Sequence, residues 1–258
     1  MSRTTLVPIG VGSLGAVTAL GLWQWAAVGP LTASPLPTAI ESISALFRLG
    51  SEPEMWRATG DTLYMALLGL LLAAVAGILL GVGIGVSPLA LHATRVPLEF
   101  LKPIPPIVIL PIVALVLGPT AGMGVFLVFF GCFVAIAVQT SAGVFDTDPV
   151  TRDTGRSYSM NRCEILGRIV LPSALPYIGT AIRVAAPTAL IVAVVAGLLG
   201  GGPGLGQSLL LAQISGNQNE LFAYVLLLGL LGLAVQGVSQ WGERRLLHWH
   251  PQYRTEAV

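Results

Sequence analysis

The residues best suited to chemistry lie in one charged segment, residues 146–172. Its carboxylates could be imagined as a general acid–base set. Four arginines are interleaved with them, so solvated ion pairing is the simpler interpretation. The charged residues are Asp146, Asp148, Arg152, Asp153, Arg156, Arg162, Glu164 and Arg168. We therefore do not expect a catalytic acid or base here.

Metal and disulfide chemistry find no support in the spacing of the histidines and cysteines. The histidines lack metal-ligand spacing, and two cysteines are too few for a disulfide framework or a metal motif. These residues are His92, His248, His250, Cys132 and Cys163. We expect the histidines at the surface and the cysteines as small buried side chains.

The sequence contains no phosphate-binding motif for ATP. Such a loop needs the pattern G-x-x-x-x-G-K-[ST], in which the lysine reaches the phosphates. Residues 200–206 are glycine-rich but contain no lysine. The formal net charge of +1 gives no basic field for nucleic acid. We expect no cofactor in this chain and no nucleic-acid partner.

The composition indicates that these residues belong to a membrane protein. Only 10% of the 258 residues are charged, whereas a soluble domain carries roughly 25%. Five stretches without charged residues or histidine each exceed the ~20 residues that span a bilayer core. They cover residues 4–40, 62–91, 103–145, 184–219 and 221–242, and the third is long enough for two passes. We predict an all-α membrane protein with six transmembrane helices in contact with lipid.

Turn and cap signals set the predicted boundaries of these helices. Thr38 is expected to cap a short amphipathic helix outside the membrane core. The glycines of the second span predict close helix packing. The spans are expected at about 6–28, at 62–86, at two places within 103–145 divided by the turn-forming run 118–122, at 177–199 and at 221–240.

Lysine and arginine set the predicted orientation, because they are retained on the cytoplasmic side. With the N-terminus inside, ten fall on cytoplasmic segments, and only Arg48 and Arg57 fall outside. We therefore expect both termini in the cytoplasm. The predicted parts are residues 1–59, the first transmembrane helix with an external amphipathic segment; residues 60–245, a five-helix core; and residues 246–258, a cytoplasmic tail.

Three groups of residues are candidates for a transport pathway or gate. Prolines at the start of the third span free backbone carbonyls, and the resulting kink either fits the bundle or lines a cavity. An arginine lies eleven residues beyond Pro172, about 16 Å along an ideal helix, where it either braces the helices or contacts a solute. The glycine-rich turn at residues 200–206 is predicted on the outer side of the membrane, where it would form a docking surface, a gate or an ordinary capping loop. The candidates are Pro105, Pro106, Pro111, Arg183, Gly204 and Gly206.

The charged segment 146–172 is predicted to form two short helices joined by a turn. Asp148-Pro149 opens the first helix, and Asn161 caps the second. A short helix held between membrane spans is suited to docking in a groove on a soluble partner.

This segment resembles a known family motif. Asp153-Thr154-Gly155, Ser159 and the Ile-Val-Leu-Pro run at 169–172 resemble the loop of permease subunits in binding-protein-dependent ABC importers. The family pattern is E-A-A, three residues, G, nine residues and I-x-L-P, so Asp153 stands for its glutamate and Ser159 for its glycine. Residues 103–118 and 203–206 and the tail Trp249-His250-Pro251-Gln252-Tyr253 are similar to the nitrate, sulfonate, taurine and bicarbonate branch.

The resemblance implies a type I importer permease of the MetI-like fold in the bacterial inner membrane. A second copy of the chain would complete the pathway, two cytoplasmic ATPase subunits would bind ATP and Mg, and an external solute-binding protein would deliver the solute. Each ATPase would receive one coupling helix in a surface groove. The residues implied nearest the ATPase are Asp153, Thr154, Gly155, Arg156, Ser159 and Met160.

Two other classes of function, and the choice of solute, must also be considered from the sequence. A secondary transporter driven by an ion gradient would need intramembrane carboxylates, and the predicted spans contain no Asp, Glu or Lys. An intramembrane enzyme would need paired catalytic groups, and none are visible. The branch favours a small anion or zwitterion such as a sulfonate, taurine, nitrate or bicarbonate, while relatives that carry vitamins, pyrimidines or aromatic acids keep those solutes open.

Overall fold

The computed structural model describes residues 3–30, 32 and 34–248, and this part of the chain forms helices and turns without a β-strand. The all-α prediction is confirmed. The tail motif Trp249–Tyr253 and the rest of residues 249–258 lie outside the described residues. The helices are α1 Arg3–Val28, α2 Ala39–Leu49, α3 Pro53–Val86, α4 Pro88–Leu101, α5 Pro106–Leu117, α6 Ala121–Phe145, α7 Pro149–Ser157, α8 Arg162–Ile165, α9 Leu171–Gly200, α10 Leu205–Ile214 and α11 Gln218–Leu246, with one π-helical turn at Leu166–Val170.

Several of these helices are long and apolar enough to cross a membrane. They are α3, α6, the continuous stretch Arg162–Gly200 that ends in α9, and α11. The pair α4–α5 adds a fifth span if its two helices, bent by 93°, count as one broken span. The multi-pass membrane architecture is confirmed. By length and composition, however, the described residues give four or five spans where the sequence predicts six.

The third predicted span is where the structure departs most from the prediction. Helix α5 has only 12 residues, because the prolines at 103, 105 and 106 cannot donate the backbone hydrogen bonds of a longer helix. Sequence analysis predicts no helix between residues 87 and 102, yet α4 forms there. Ser87 accepts a hydrogen bond from the amide of Ala90 at 3.3 Å, and Pro88 occupies the first turn. Both are ordinary helix-start signals.

The predicted caps and turns are confirmed elsewhere in the chain. Thr38 and Glu41 form a capping box at the start of α2, in which the amide of Thr38 donates to Oε2 of Glu41 at 2.9 Å. These hydrogen bonds hold the pKa of the Glu41 carboxyl below its ordinary value. Gly118 has a φ of 68°, which glycine adopts at little cost. Thr120 then caps α6 by accepting from the amide of Met123.

Glycines of α3 allow close contact with α6. A Cβ at Gly69 would lie 2.6 Å from Cβ of Val128, and one at Gly77 would lie 3.0 Å from Cβ of Ile136. The contacts continue toward the ends of both helices, at Gly81 with Thr140 and at Gly85 with Val144. The predicted close packing through small residues is therefore present.

The chain divides into two compact units, which we describe separately. The first unit comprises Met1–Arg57 and Ser208–Leu230. In its described part, Ala45, Leu49, Met55 and Ala223 form the core, and the Trp23 ring lies 5.7 Å from that of Phe222. The second unit comprises Ala58–Gln207 and Leu231–Val258. Its core is formed mainly by α3, α6 and α9.

Candidate functional site

Asp148 starts α7 as the sequence predicts. Its carboxylate accepts from the hydroxyl of Thr151 at 2.7 Å and from the amides of Val150 and Thr151 at 3.1 Å. These hydrogen bonds, the one from the Thr151 side chain first, lower the pKa of Asp148. The ionised carboxylate is the form that satisfies the free amides at the helix N-terminus.

The C-terminus of α7 ends in a Schellman motif. The amide of Met160 donates to the carbonyl of Gly155 at 3.1 Å, and the amide of Ser159 donates to that of Arg156 at 2.9 Å. Ser159 has a φ of 59° and is the one non-glycine residue with positive φ in the described ranges. This left-handed position is the one where the importer motif carries glycine.

Gly155 lies on the inner side of α7. A Cβ here would lie 2.8 Å from Cδ1 of Ile169, 3.4 Å from Cγ1 of Ile165 and 3.4 Å from Sδ of Met160. Gly155 is buried and Met160 is half-buried. Both residues therefore pack α7 against the following turn, beneath its outer face, whereas the sequence expectation placed them nearest a partner.

Two contacts tie this segment to the ends of the membrane helices. A guanidinium nitrogen of Arg152, Nη2, donates to the carbonyl of Val144 in the last turn of α6. A cation at this end also suits the helix dipole. The hydroxyl of Tyr177 in α9 donates to Oδ2 of Asp146 at 2.6 Å. The segment is therefore attached to both helices that flank it.

The outer face of α7 presents one exposed stripe. Val150, Thr154 and Tyr158 follow one another at intervals of four residues, the spacing of one helix face, and Val150 and Tyr158 are 70% and 80% exposed. The sequence prediction included Thr154 but missed Val150 and Tyr158, although their spacing was a readable signal. Beside the stripe, Asp153 and Arg156 form an exposed ion pair at 2.8 Å.

A cleft of about 680 Å³ lies behind α7 and α8. Three arginines from α7 and α8 line it, together with Met160 and apolar side chains. The lining residues are Val86, Pro88, Arg152, Arg156, Met160, Arg162, Ile165, Leu166 and Val170. Because Pro88 is among these residues, the start of α4 lies beside the charged segment.

Cys163 contradicts the expectation that both cysteines are buried. Cys132 is buried in α6, but Cys163 is exposed in the single turn of α8. This turn is polar and held by a capping box between Asn161 and Glu164, so it stays at the surface.

Arg183 is paired with a carboxylate that the sequence analysis missed. Its Nε lies 3.0 Å from Oε2 of Glu243, and the hydroxyl of Thr180 donates to Oε1 of Glu243 at 3.1 Å. Helix α11 continues to Leu246, six residues beyond its predicted end, and so it includes Glu243, which is 5% exposed. The pairing supports the bracing alternative for Arg183.

The candidate prolines lie where α5 meets α6. Pro105 precedes the first turn of α5, Pro106 is its first residue and Pro111 lies within the helix. A Cβ at Gly131 of α6 would lie 2.8 Å from Cγ of Pro106. Pro105 and Pro106 also line a cleft of about 520 Å³ that includes Gln139. Pro105 and Pro106 therefore lie at the surface of a cleft.

Gly204 and Gly206 are both buried. Gly204 has a φ of 114°, and a Cβ there would lie 2.5 Å from Oγ1 of Thr62. The same Oγ1 accepts from the amide of Leu205 at 2.8 Å. Gly206 packs on the backbone of α9 at Val194. These two glycines close the turn into α10, which favours the capping alternative.

Comparison with known proteins assigns the family. A family model described as "Binding-protein-dependent transport system inner membrane component" matches residues 73–248. The chain belongs to this family. It is the permease subunit of an ABC importer, and in this family ATP hydrolysis belongs to separate partner subunits.

The relatives support the branch that the sequence motifs indicate. The nitrate import permease protein NrtB of Leptolyngbya laminosa is 28% identical over 85% of this permease and 81% of its own length. The putative aliphatic sulfonates permease SsuC of Bacillus subtilis is 26% identical over 91% and 85%. The taurine permease TauC of Escherichia coli is 24% identical over 95% and 90%. The permease therefore belongs to the nitrate, sulfonate and taurine branch.

Solved structures confirm the type I importer fold. The inward-facing methionine transporter MetNI aligns with a TM-score of 0.66 and 22% identity, covering 76% of this permease and 98% of the MetNI chain. A bacterial importer of the acidic polysaccharide alginate aligns with the same TM-score and 14% identity over 94% and 99%.

Proposed function

We propose that this permease works as a homodimer with two cytoplasmic ATPase subunits and an external solute-binding protein, and that α7 is its coupling helix. The observation that carries this assignment is the exposed Val150–Thr154–Tyr158 stripe on a helix that is bonded to the end of α6 through Arg152 and packs on Ile169, just before α9. ATP and Mg would be bound by the partner subunits. No cofactor is assigned to this chain.

The coupling contact is expected to depend on the two exposed ends of the stripe. Aromatic side chains often dominate such contacts, and truncating one commonly costs about 2 kcal/mol, or roughly thirtyfold in affinity. Tyr158→Ala should therefore weaken co-purification of the ATPase and lower transport, and Val150→Asp should do so through a buried charge. Tyr64→Ala removes a comparably exposed tyrosine from α3 and serves as the control. Equal ATPase recovery from all three variants would contradict the assignment.

If the ATPase binds α7, the orientation of the whole chain in the membrane follows. The charged segment, and with it Cys163, would then face the cytoplasm, as would both termini. A membrane-impermeant thiol reagent should label Cys163 in inside-out vesicles and leave it unlabelled in intact cells. Cys132 is buried and should stay unlabelled in both. Labelling of Cys163 in intact cells would overturn the orientation.

The proposed solute is a small anion or zwitterion of the sulfonate, taurine or nitrate kind, because the relatives named for these solutes cover most of the chain. Arg183 does not supply a net positive charge for it, since Glu243 pairs with the guanidinium. The cleft at Pro105, Pro106 and Gln139 is the proposed pathway surface. Uptake assays with a panel of these solutes and the cognate binding protein test the choice, and a vitamin, pyrimidine or aromatic acid as the preferred solute would refute it.

A further inference from the structure

We infer that α4 is an interfacial helix that holds the headgroup of an anionic phospholipid on the same side of the membrane as α7. The helix is bent by 93° from α5, so it runs along the membrane plane if α5 runs across it. At 14 residues it extends about 21 Å at 1.5 Å per residue. Its start, Pro88, lines the cleft that Arg152 and Arg156 also line, so the start of α4 lies at the α7 end of the bundle.

One face of α4 packs on the bundle. Leu98 is buried and clusters with Ile84 of α3 and Val134 of α6, and Leu91 packs against the same cluster. This face fixes the helix to the last turn of α3 and to the α7-side half of α6. The helix is thus held in place without using its remaining faces.

The opposite face of α4 is apolar and uncovered. Leu89, Val96 and Phe100 follow at helical intervals of seven and four residues, and each is at least 70% exposed. The face continues from the exposed side chains of α3, including Val86 next to the start of α4. An apolar face of this kind on a helix parallel to the membrane is buried among acyl chains near the headgroups.

A polar edge separates these two faces. His92, Arg95, Glu99 and Lys102 follow at intervals of three or four residues and line a cleft of about 250 Å³ that also includes Ser141 of α6. Glu99 pairs with Arg95 at 3.3 Å. Lys102, the one lysine in the sequence, forms no ion pair with the described carboxylates. The cleft therefore has a net positive charge that matches a single phosphodiester.

A phospholipid satisfies both features at once, because its acyl chains cover the apolar face and its phosphate enters the basic cleft. A second copy of the permease or another protein would cover the apolar face without calling for a cation at its edge. Inner leaflets rich in anionic lipid also attract Lys and Arg side chains near the surface.

The position of α4 is tested with the full-length chain reconstituted in bilayers on a Cys163→Ser background. Val96→Cys and Phe100→Cys carry an environment-sensitive fluorophore, and His92→Cys on the polar edge is the matched control. Val96→Cys and Phe100→Cys should be quenched by lipid-borne nitroxide and little by aqueous iodide, whereas His92→Cys should show the reverse. If all three respond alike to iodide, or if the apolar sites respond to neither quencher, α4 is in water or covered by protein, and the proposal fails.

The headgroup is tested by melting the same protein in phosphatidylcholine nanodiscs with increasing phosphatidylglycerol. The melting midpoint should rise with phosphatidylglycerol, and Arg95→Gln or Lys102→Gln should each raise the half-saturating fraction about fivefold. Arg57→Gln removes a cation from α3 and should behave as wild type. An unchanged response in a variant that combines Arg95→Gln with Lys102→Gln, or an equal response to inorganic phosphate in pure phosphatidylcholine, would overturn the lipid assignment. Neither test depends on the transported solute, so the permease function can stand if the lipid site fails.

Discussion

Ser159, just after α7, has a backbone conformation that glycine adopts at a lower cost. A side chain in the left-handed region costs an L-residue about 1–2 kcal/mol, which glycine avoids. Glycine also loses more conformational entropy on folding, by about 0.5–1 kcal/mol. Ser159→Gly should therefore stabilise the end of α7 by a net of roughly 0.5–1 kcal/mol, because φ is 59° at this residue.

Hydrogen exchange measures this effect at the amides that the motif protects. The amides of Ser159 and Met160 donate to Arg156 and Gly155, so both should exchange two- to fivefold more slowly in Ser159→Gly. Ser157→Gly is the matched control, because residue 157 is the last helical residue of α7. Glycine within a helix costs about 0.5–1 kcal/mol, so exchange there should become faster. Changes of the same sign in the two variants would refute the argument from backbone conformation.

Two further predictions concern charged groups. Glu243→Ala leaves the half-buried Arg183 without its partner and should lower the melting temperature, whereas adding Arg183→Ala should recover part of the loss. Additive losses in the double variant would show that the two side chains do not interact. Asp148 has a lowered pKa, so its contribution to α7 is complete above the ordinary carboxyl pKa and is lost as the pH falls through the lowered value. Asp148→Asn keeps a neutral cap and should remove this acid sensitivity from the exchange of the Thr151 amide; an unchanged pH profile in the variant would count against the cap.

Local signals in the sequence predicted most of the elements that position the charged segment 146–172. Thr38, Asp148 and Asn161 each cap the helix that the sequence assigns to them. These predictions succeed because a cap is a contact between residues two or three positions apart. The second, fourth, fifth and sixth predicted spans succeed for a different reason, since bilayer thickness requires long apolar runs whatever their tertiary contacts.

Long-range contacts account for what the sequence could not predict. Glu243 lies beyond the predicted end of the sixth span at residue 240, and only its contacts with Arg183 and Thr180, 60 or more residues earlier in the chain, account for its burial. Gly155 lies in the motif from which the coupling role is predicted, but the side on which it packs is decided by Ile165 and Ile169. No periodic pattern within one helix carries that information.

The attachment of α7 bears directly on its proposed coupling role. A helix pushed by an ATPase can move the membrane spans only if it is fixed to them on more than one side. Arg152 fixes α7 to the end of α6, Asp146 and Tyr177 join the end of α6 to α9, and Gly155 leaves no gap between α7 and Ile169. Because these contacts constrain α7, a displacement of this helix should be transmitted to α6 and α9, the two helices that form much of the core.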